Sequence, residues 1–424
     1  MALFSTNAGE EIAMDKPRIL FLTHRFPYPP NRGDRIRSFR LLEFMSKIAT
    51  VDLGTLCDEE PKEEYVSVLK SYCQRTAFVP WRPYGRWIHA GLSLLSGSTM
   101  TEGLFSSTAL RKQIRAWAAD TTYDRVVVFC SSMYPYSRLP ELKNIPLITD
   151  IVDVDSQKWF DYAAVSTGFK GAFKRRIFET EGRRLRQKEI EIAQTSLRTL
   201  AVSEDEVKLY RSFCPEDVQE KIIPLSNGVD SDFFSPDAQY DKADVIPYRL
   251  VFVGAMDYRA NLDGIEWFLD NVWKELKGRF PQTELDLVGS NPGEKAQSFA
   301  KTPGVNLIGR VDDVRPYIYR ANAVVIPLRV ARGIQNKTLE AMAMAKPVLA
   351  SPMSLQGIDD SVTQFAWSCN ESQSWIDSLT ELFNQGVDNA EVQSRAQKGR
   401  QAIVDSYSWA ARFARLSELI LTPN

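Results

Sequence analysis

The sequence is poor in histidine and has no paired cysteines, and both absences restrict its chemistry. Only two histidines, His24 and His89, occur among 424 residues, so a histidine triad or a multi-histidine metal site is nearly excluded. No CxxC pair is present, which argues against a zinc site or a disulfide framework and favours reduced thiols in a reducing compartment. The five cysteines are scattered along the chain: Cys57, Cys73, Cys130, Cys214 and Cys369. We therefore expect a cytoplasmic protein.

Long apolar runs and an excess of charge of one sign are also missing. The longest apolar stretch, Trp87 to Leu95, contains His89 and falls short of the roughly 18 residues of a membrane span. Residues 1–16 lack the apolar core of a signal peptide, and we expect a loose tail there. Lys and Arg total 52 against 54 Asp and Glu, so no overall field points to nucleic acid. The absence of a GxGxxG motif argues against a dinucleotide-dependent dehydrogenase.

Short β-branched apolar runs instead alternate with amphipathic stretches along the chain, whose length suits two domains. In the first half, a helix over Gly33–Ile48 follows the first strand, and a long helix runs from about Phe173 to Ala193. The predicted strands are Arg18–Thr23, Val51–Thr55, Thr76–Val79, Arg125–Cys130, Pro146–Ile151, Arg198–Val202 and Ile222–Leu225. This repeated order predicts a parallel sheet with helices on both faces.

A polar stretch that follows Ser226–Asp230 and ends at Pro247 interrupts this alternation of strands and helices, which then resumes. The predicted helices of the second half are Leu262–Leu276 and Asn336–Ala345, and its strands are Arg249–Val253, Glu284–Val288, Asn306–Ile308, Ala323–Ile326 and Pro347–Ala350. We predict a tail (1–16), two domains (17–235 and 236–405) and a C-terminal helix (406–424) that packs back toward the first domain. The expected fold class is α/β, with two doubly wound Rossmann-like domains facing each other across a ligand cleft.

The most informative segment runs from Arg332 to Val348, where a glycine-containing loop leads from a strand into a helix. Lys337 and Glu340 are spaced i, i+3 and share one helix face. The helix N-terminus and Lys337 suit a diphosphate, and the Glu340 carboxylate can accept hydrogen bonds from both ribose hydroxyls. The alternative is a surface Lys–Glu pair on a core helix, worth a few tenths of a kcal/mol.

With this segment, the sequence resembles the retaining GT-B glycosyltransferases of family 4. The resemblance covers roughly residues 17–420 and includes a turn Asn227-Gly228-Val229-Asp230, a loop Gly254-Ala255-Met256-Asp257-Tyr258 with Asn261-Leu262-Asp263-Gly264, and Gly309-Arg310-Val311-Asp312-Asp313-Val314 followed by Pro327. More narrowly, the segments from Thr23 to Arg37 and from Asp150 to Ser156 are similar to those of sugar transferases encoded with exosortase (PEP-CTERM) exopolysaccharide systems.

The resemblance implies a donor site in the second domain, an acceptor side in the first, and catalysis by Asp153, Lys337 and Glu340. The predicted donor-binding residues are Gly33, Asn227, Gly254, Met256, Asn261, Arg310, Val311, Arg332, Gly333, Ile334, Lys337, Thr338 and Glu340. The predicted acceptor-side residues are His24, Arg32 and Asp153.

The chain also departs from the family pattern. Arg332 stands where members commonly have a second glutamate, and Ala255 and Asn261 stand near the usual arginine and lysine of the first loop. Arg332 and Lys337 are then expected to neutralise the charge of the diphosphate. These departures leave the identity of the donor sugar undetermined.

Two features of the first domain have alternative interpretations. Gly33 lets a phosphate or acceptor approach the backbone, or it is a tolerant hinge in a stiff turn. Asp153 follows a strand where many members have a histidine and is expected to orient a sugar hydroxyl or to help the acceptor lose its proton. Asp150, Asp155 or His24 are alternatives for that role, and a helix cap is the structural alternative, best suited to Asp155.

Basic residues crowd the first loop and helix, the long helix and residues 81–87, where aromatic residues are interleaved. They indicate contact with an anionic membrane at the inner face of the cell membrane or with a lipid-diphosphate acceptor, or they are solvated helix faces.

The sequence therefore predicts a glycosyltransferase that moves a sugar from a UDP-sugar or another nucleotide-diphosphate sugar, with retention. The acceptor is expected to be a lipid-linked or saccharide intermediate of exopolysaccharide synthesis. No metal or other cofactor is expected, and no nucleic-acid partner. A nucleotide-sugar 2-epimerase of the same fold and a catalytically silent GT-B partner subunit are the alternatives.

Overall fold

The computed structural model describes residues 16–30, 33–81, 86–164, 168–236, 246–331, 334–386 and 388–421. The chain forms two compact units: one contains the residues up to Ser226 and from Phe413 onward, and the other is Asn227–Arg412. Within the described ranges, no helix is both long enough and apolar enough to cross a bilayer.

Parallel strands form the sheet of the first unit, and β1 lies near its middle. The strands are β1 (Arg18–Thr23), β2 (Thr50–Cys57), β3 (Arg75–Pro80), β4 (Arg125–Phe129), β5 (Leu147–Val152), β6 (Arg198–Ala201) and β7 (Ile222–Pro224). Their order is β3-β2-β1-β4-β5-β6-β7. Continuous apolar runs such as RILFLT of β1 are buried almost throughout, as expected for a sheet covered on both faces.

Helices connect these strands in the predicted alternation. They are α1 (Gly33–Ile48), α2 (Glu63–Tyr72), α3 (Arg86–Leu95), α4 (Met100–Leu104), α5 (Thr108–Asp120), α6 (Tyr134–Ser137), α7 (Asp155–Ala164), α8 (Gly168–Thr195), α9 (Glu204–Arg211) and α10 (Glu216–Gln219), with short 3₁₀ turns at Ser131–Met133 and Pro140–Leu142. The prediction of a helix over Gly33–Ile48 is confirmed, and the long helix is seven residues longer than its predicted span of Phe173 to Ala193.

Two buried carboxylates of α8 hold the beginnings of other helices. Glu181 accepts hydrogen bonds from the backbone N–H groups of Met100 (2.6 Å) and Thr101 (2.9 Å) at the start of α4. Glu189 accepts from the N–H (2.9 Å) and hydroxyl (2.6 Å) of Ser156 in the first turn of α7. These bonds satisfy helix-terminal donors that otherwise lack partners.

A second parallel sheet, in the order β10-β9-β8-β11-β12-β13, forms the centre of the second unit. Its strands are β8 (Arg249–Val253), β9 (Glu284–Val288), β10 (Val305–Gly309), β11 (Ala323–Ile326), β12 (Val348–Ala350) and β13 (Trp367–Ser368). The helices are α11 (Arg259–Phe268), α12 (Lys274–Arg279), α13 (Glu294–Phe299), α14 (Arg315–Arg320), α15 (Asn336–Ala343), α16 (Pro352–Leu355), α17 (Asp360–Thr363), α18 (Ser372–Gln385) and α19 (Ala390–Tyr407). The last helix, α20 (Trp409–Leu421), begins in the second unit, and its residues from Phe413 belong to the first.

The predicted helix Leu262–Leu276 is interrupted by a π-helical segment at Leu269–Trp273 between α11 and α12. Helix α15 begins at Asn336 as predicted and ends two residues before Ala345, which has a positive φ of 51°. The fold class predicted from the sequence, two parallel Rossmann-like α/β domains, is confirmed.

Candidate functional site

Glycines follow or end three neighbouring strands at the carboxyl edge of the second sheet. Gly254 follows β8, Gly289 follows β9 and Gly309 ends β10. Backbone hydrogen bonds join them in series, from Gly254 N–H to the Val288 carbonyl (2.9 Å) and from Gly289 N–H to the Gly309 carbonyl (2.8 Å). A Cβ at Gly289 would collide with the carbonyl oxygen of Gly254. The strand ends thus form a backbone surface that a ligand can approach closely.

Lys337 reaches this surface from the first turn of α15. Its Nζ donates a hydrogen bond to Oδ1 of Asn261 (2.6 Å) and lies 4.7 Å from the ring centroid of Phe252. A Cβ at Gly254 would lie 2.9 Å from the same nitrogen, so glycine makes room for the ammonium group. Burial lowers the pKa of Lys337 to about 8, although the nearby Glu340 acts in the opposite direction.

Asn261 positions this lysine. The residue is 3% exposed, and its Nδ2 donates to the backbone carbonyl of Ala255 (2.8 Å) while its Oδ1 accepts from Lys337. Both ends of the amide are therefore engaged by the protein. In this structure Asn261 fixes Lys337 and the loop after β8, and its contact with the donor stays a prediction.

Glu340 lies one turn further along α15 and is half-buried. Among the described residues, none donates a hydrogen bond to its carboxylate. Burial raises the pKa of Glu340 to about 7, and the charge of Lys337 partly offsets this effect. A half-buried carboxylate that receives no hydrogen bond from the described residues is suited to accept hydrogen bonds from a ligand.

Other predicted donor residues of α15 and its loop have structural contacts. Thr338 is fully buried and its hydroxyl donates to the Ser354 carbonyl (3.1 Å). Ile334 is half-buried and packs against the core of the second unit. Arg332 and Gly333 lie outside the described residues.

The remaining predicted donor residues of the second domain lie on two loops and a turn. The Met256 side chain is fully buried in the core, and its N–H donates to the Ser290 carbonyl (2.8 Å). Arg310 is exposed just beyond β10, and Val311 is half-buried against the core. These two residues lie at the same sheet edge as the glycines.

Asn227 begins the turn Asn227–Asp230, whose described contacts are with the C-terminal segment. Val229 pairs with Ser408, and a Cβ at Gly228 would lie 2.7 Å from the backbone nitrogen of Trp409. Glycine at position 228 is therefore required by close backbone packing. The turn belongs to the second unit, whereas the sequence assigned it to the first domain.

In the first unit, His24 directly follows β1 and is buried. Its ring stacks on Phe129 (5.8 Å between centroids), and its Nε2 lies 3.7 Å from Oδ2 of Asp34, which also accepts from Nη1 of Arg25 (3.0 Å). Burial, with Arg25 second, lowers the pKa of His24 to about 4, so the ring is neutral near pH 7. Gly33 is exposed with open space around its Cα, and Arg32 lies outside the described residues.

The three aspartates within and just after β5 have different surroundings. Asp150 is fully buried, accepts a hydrogen bond from Nε of Arg37 (2.8 Å) and forms an ion pair with it. Asp153 is 40% exposed and pairs with Lys158 (3.0 Å), which also pairs with Asp155 (3.1 Å). Asp155 accepts from the hydroxyl of Ser131 (2.6 Å), and the start of α7 is held by Glu189 rather than by an aspartate side chain.

Lys158, Phe252 and Gly289 were missed by sequence reasoning. Lys158 follows Asp155 at i+3 and was detectable as an ion-pair partner. The glycine directly after the predicted strand Glu284–Val288 was a further available signal. In the described parts of the chain, no group of three His, Cys, Asp or Glu residues is placed to hold a metal ion.

Residues 247–385, which include Gly254, Asn261, Lys337 and Glu340, match a family model described as glycosyl transferases group 1. The chain is also 24% identical, over 349 residues, to an uncharacterized 44.6 kDa protein in the cps region of Klebsiella pneumoniae. That alignment covers 80% of this chain and 84% of the Klebsiella protein.

Solved structures resemble the whole chain at low identity. The Anabaena protein HepE in complex with UDP is 12% identical, with a TM-score of 0.57 over 95% of this chain and 99% of HepE. A glycosyltransferase from Rickettsia africae ESF-5 is 12% identical, with a TM-score of 0.61 over 96% of this chain and 100% of that protein. The chain therefore has the two-domain fold of the GT-B glycosyltransferases, and residues 247–385 of its second unit are similar to the glycosyl transferases group 1 family.

Proposed function

We propose that this protein is a glycosyltransferase that uses a nucleotide-diphosphate sugar as its donor. The observation that carries the proposal is the arrangement at the carboxyl edge of the second sheet. There Asn261 holds the ammonium group of Lys337 beside Gly254, one helical turn from Glu340, whose carboxylate has no hydrogen-bond donor among the described residues. This arrangement lies within the residues that match the group 1 family model.

The donor nucleotide binds along this edge. Lys337 and the N-terminus of α15 neutralise the diphosphate, and the glycine backbone surface lets its oxygens approach closely. Glu340 accepts hydrogen bonds from the ribose hydroxyls, while Arg310 and Val311 lie on the nucleobase side. UDP and UDP-glucose complexes of HepE support a uridine nucleotide. Lys337 and backbone N–H groups stabilise the leaving diphosphate, so the reaction needs no metal.

A hexose is transferred with retention of the anomeric configuration, as the resemblance to family 4 implies. Asp153 orients an acceptor hydroxyl, because it lies at the carboxyl edge of the first sheet, is partly exposed and is held by Lys158. His24 is less suited to proton transfer near pH 7, since burial strongly disfavours its charged form.

The acceptor is a lipid-linked or saccharide intermediate of exopolysaccharide synthesis. The cps-region relative and the resemblance to exosortase-associated transferases support this class. Contact with an anionic membrane from the cytoplasmic side is supported by α3, on which Ile88, Leu92 and Leu95 are 67%, 56% and 85% exposed at i, i+4 and i+7 spacing.

Incubation of the protein with radiolabelled UDP-sugars and a membrane extract tests the proposal. Glycosyl transfer places label in the lipid or polysaccharide fraction, whereas a 2-epimerase changes only the donor sugar and a silent subunit changes neither. UDP should also raise the melting temperature. Absence of both transfer and UDP binding would refute the proposed function.

A further inference from the structure

A cavity of about 420 Å³ opens at the carboxyl edge of the first sheet, beyond the ends of β2 and β3. Its volume lies in the range of small-molecule pockets, about 300–1,000 Å³. Phe78 and Trp81 provide its aromatic lining, and Asp58, Glu59 and Glu60 provide its polar lining. The described residues include no cation in the lining.

The aromatic wall of this cavity is rigid. The indole Nε1 of Trp81 donates to the Leu104 carbonyl (2.7 Å), and its ring stacks on Phe105 at 4.6 Å between centroids. Phe78 makes an edge contact with Phe26 at 5.2 Å. Fixed aromatic surfaces of this kind suit a ligand with an apolar C–H face, because little side-chain entropy is lost on binding.

The polar lining accepts hydrogen bonds and repels anions. Asp58 pairs with Arg35 (3.4 Å) and is partly neutralised, whereas Glu59 and Glu60 are exposed and have no ion-pair partner among the described residues. Carboxylates accept hydrogen bonds but donate none when ionised. A ligand that satisfies them carries hydroxyl donors and no negative charge.

The cavity adjoins the predicted acceptor side. Asp58 lines the cavity and also acts on the charge of His24, whose Nε2 lies 3.7 Å from Asp34 in the neighbouring first turn of α1. The Arg35–Asp58 ion pair and the Phe26–Phe78 contact place the cavity beside the loop after β1, whereas the nucleotide edge belongs to the second unit.

We propose that this cavity is a saccharide-binding subsite that takes an uncharged sugar of the acceptor, stacked against Trp81 and hydrogen-bonded to Glu59 and Glu60. Its role as an acceptor subsite rests on the proposed function, but its affinity for sugars does not. Lipid diphosphates and uronic acids are excluded from it by charge.

Saturation-transfer NMR on the full chain without nucleotide tests this subsite. The probes are the methyl glycosides of glucose, galactose, mannose, rhamnose and N-acetylglucosamine, with methyl glucuronide as the anionic comparison. At least one neutral glycoside should receive saturation at millimolar concentration, and the glucuronide should not. Equal binding of the glucuronide, or no signal from any neutral probe, would overturn the proposal.

Paired variants distinguish the subsite from general surface effects. The double variant Glu59→Gln/Glu60→Gln should weaken the neutral signal at least threefold, and Glu59→Lys/Glu60→Lys should admit the glucuronide. Glu63→Gln/Glu64→Gln, which removes two exposed charges from the first turn of α2, is the matched control and should change neither signal. An unchanged sugar signal in both cavity variants would place the sugar elsewhere.

Calorimetry with UDP separates this proposal from the proposed function. The cavity variants should bind UDP with wild-type affinity, since the nucleotide edge belongs to the other unit. If the wild-type protein did not bind UDP, this result would contradict the glycosyltransferase proposal but not the proposed saccharide-binding subsite.

Discussion

The ionisable groups at the carboxyl edges of the two sheets differ in whether an opposite charge lies beside them. In the first unit, Asp153, Asp155 and Lys158 neutralise one another within about 3 Å. In the second unit, the close contacts of the Lys337 ammonium group within the described residues are an amide oxygen and an aromatic ring, and no described residue donates a hydrogen bond to Glu340. Ionisable groups left uncompensated at an edge are costly unless a ligand completes them. The comparison supports the two proposals made above, an ionic ligand at the second edge and a polar, uncharged one at the first.

Removing the cation of the second edge should have the largest effect. Lys337→Met keeps the chain length but removes the charge, so affinity for UDP-glucose should fall roughly 10- to 100-fold, as for loss of a charge-assisted hydrogen bond of about 1.5–3 kcal/mol. Calorimetry measures the change. Lys301→Met, an exposed lysine of the same unit, is the control, and equal affinities in the two variants would show that Lys337 does not contact the diphosphate.

Removing the carboxylate should weaken nucleotide binding by about tenfold or more in Glu340→Ala, because both ribose hydroxyls lose their acceptor. Glu340→Gln should weaken binding less and raise the melting temperature at pH 8. The sign follows from linkage: burial raises the pKa of Glu340 from 4.5 to about 7, so the carboxylate increasingly destabilises the fold as pH rises from about 4.5 to about 7, and the full penalty is present at pH 8. Calorimetry and thermal unfolding test the two effects, and an unchanged affinity in Glu340→Ala would remove the donor site from α15.

The same pair predicts a bell-shaped pH dependence of UDP-glucose affinity. Glu340 must be ionised to accept both hydroxyls, so affinity should fall several-fold below about pH 7. Lys337 must be protonated to attract the diphosphate, so affinity should also fall above about pH 8. The ligand for this experiment is UDP-glucose rather than UDP, because the diphosphate diester of UDP-glucose does not titrate near neutrality. Calorimetry from pH 5.5 to 9.5 provides the profile.

Each limb of this profile has its own control variant. Glu340→Gln should abolish the acid limb and Lys337→Met the alkaline limb. A flat wild-type profile over the whole range would contradict the assignment of both groups to the nucleotide.

The smallest effect is expected at the first edge. Asp153→Ala should lower turnover roughly 2- to 10-fold, as for loss of one hydrogen bond of about 0.5–1.5 kcal/mol, while nucleotide affinity stays near the wild-type value. Asp161→Ala, on the exposed side of α7, is the control. Wild-type turnover in Asp153→Ala would give this residue a purely structural role beside Lys158.

The sequence predicts the fold well where its signals are local. Buried runs such as Arg249–Val253 have one interpretation in a parallel sheet, and the glycine-containing loop before Asn336 marks the start of α15 correctly. The contact between Asn261 and Lys337 joins residues 76 positions apart, and no local pattern encodes it. Both residues were predicted to lie at the donor site, but their mutual contact was not, because propensity and spacing do not specify tertiary contacts.

The interruption of the helix after Phe268 was missed for a similar reason. The apolar spacing continues through Leu269–Trp273, so periodicity alone predicts one uninterrupted helix. Likewise, aspartate is a frequent helix cap, yet the start of α7 is held by Glu189, more than thirty residues later in the chain.

The membership of residues 413–421 in the first unit has a consequence for biosynthesis. Phe413 packs against Phe44, and the Leu419 carbonyl accepts a hydrogen bond from Nε of Arg125 (3.2 Å). A ribosome releases these residues only after the whole second unit has been made. The amino-terminal half therefore emerges first but is completed last, and a nascent chain stalled before residue 413 would leave it without its final packing partners.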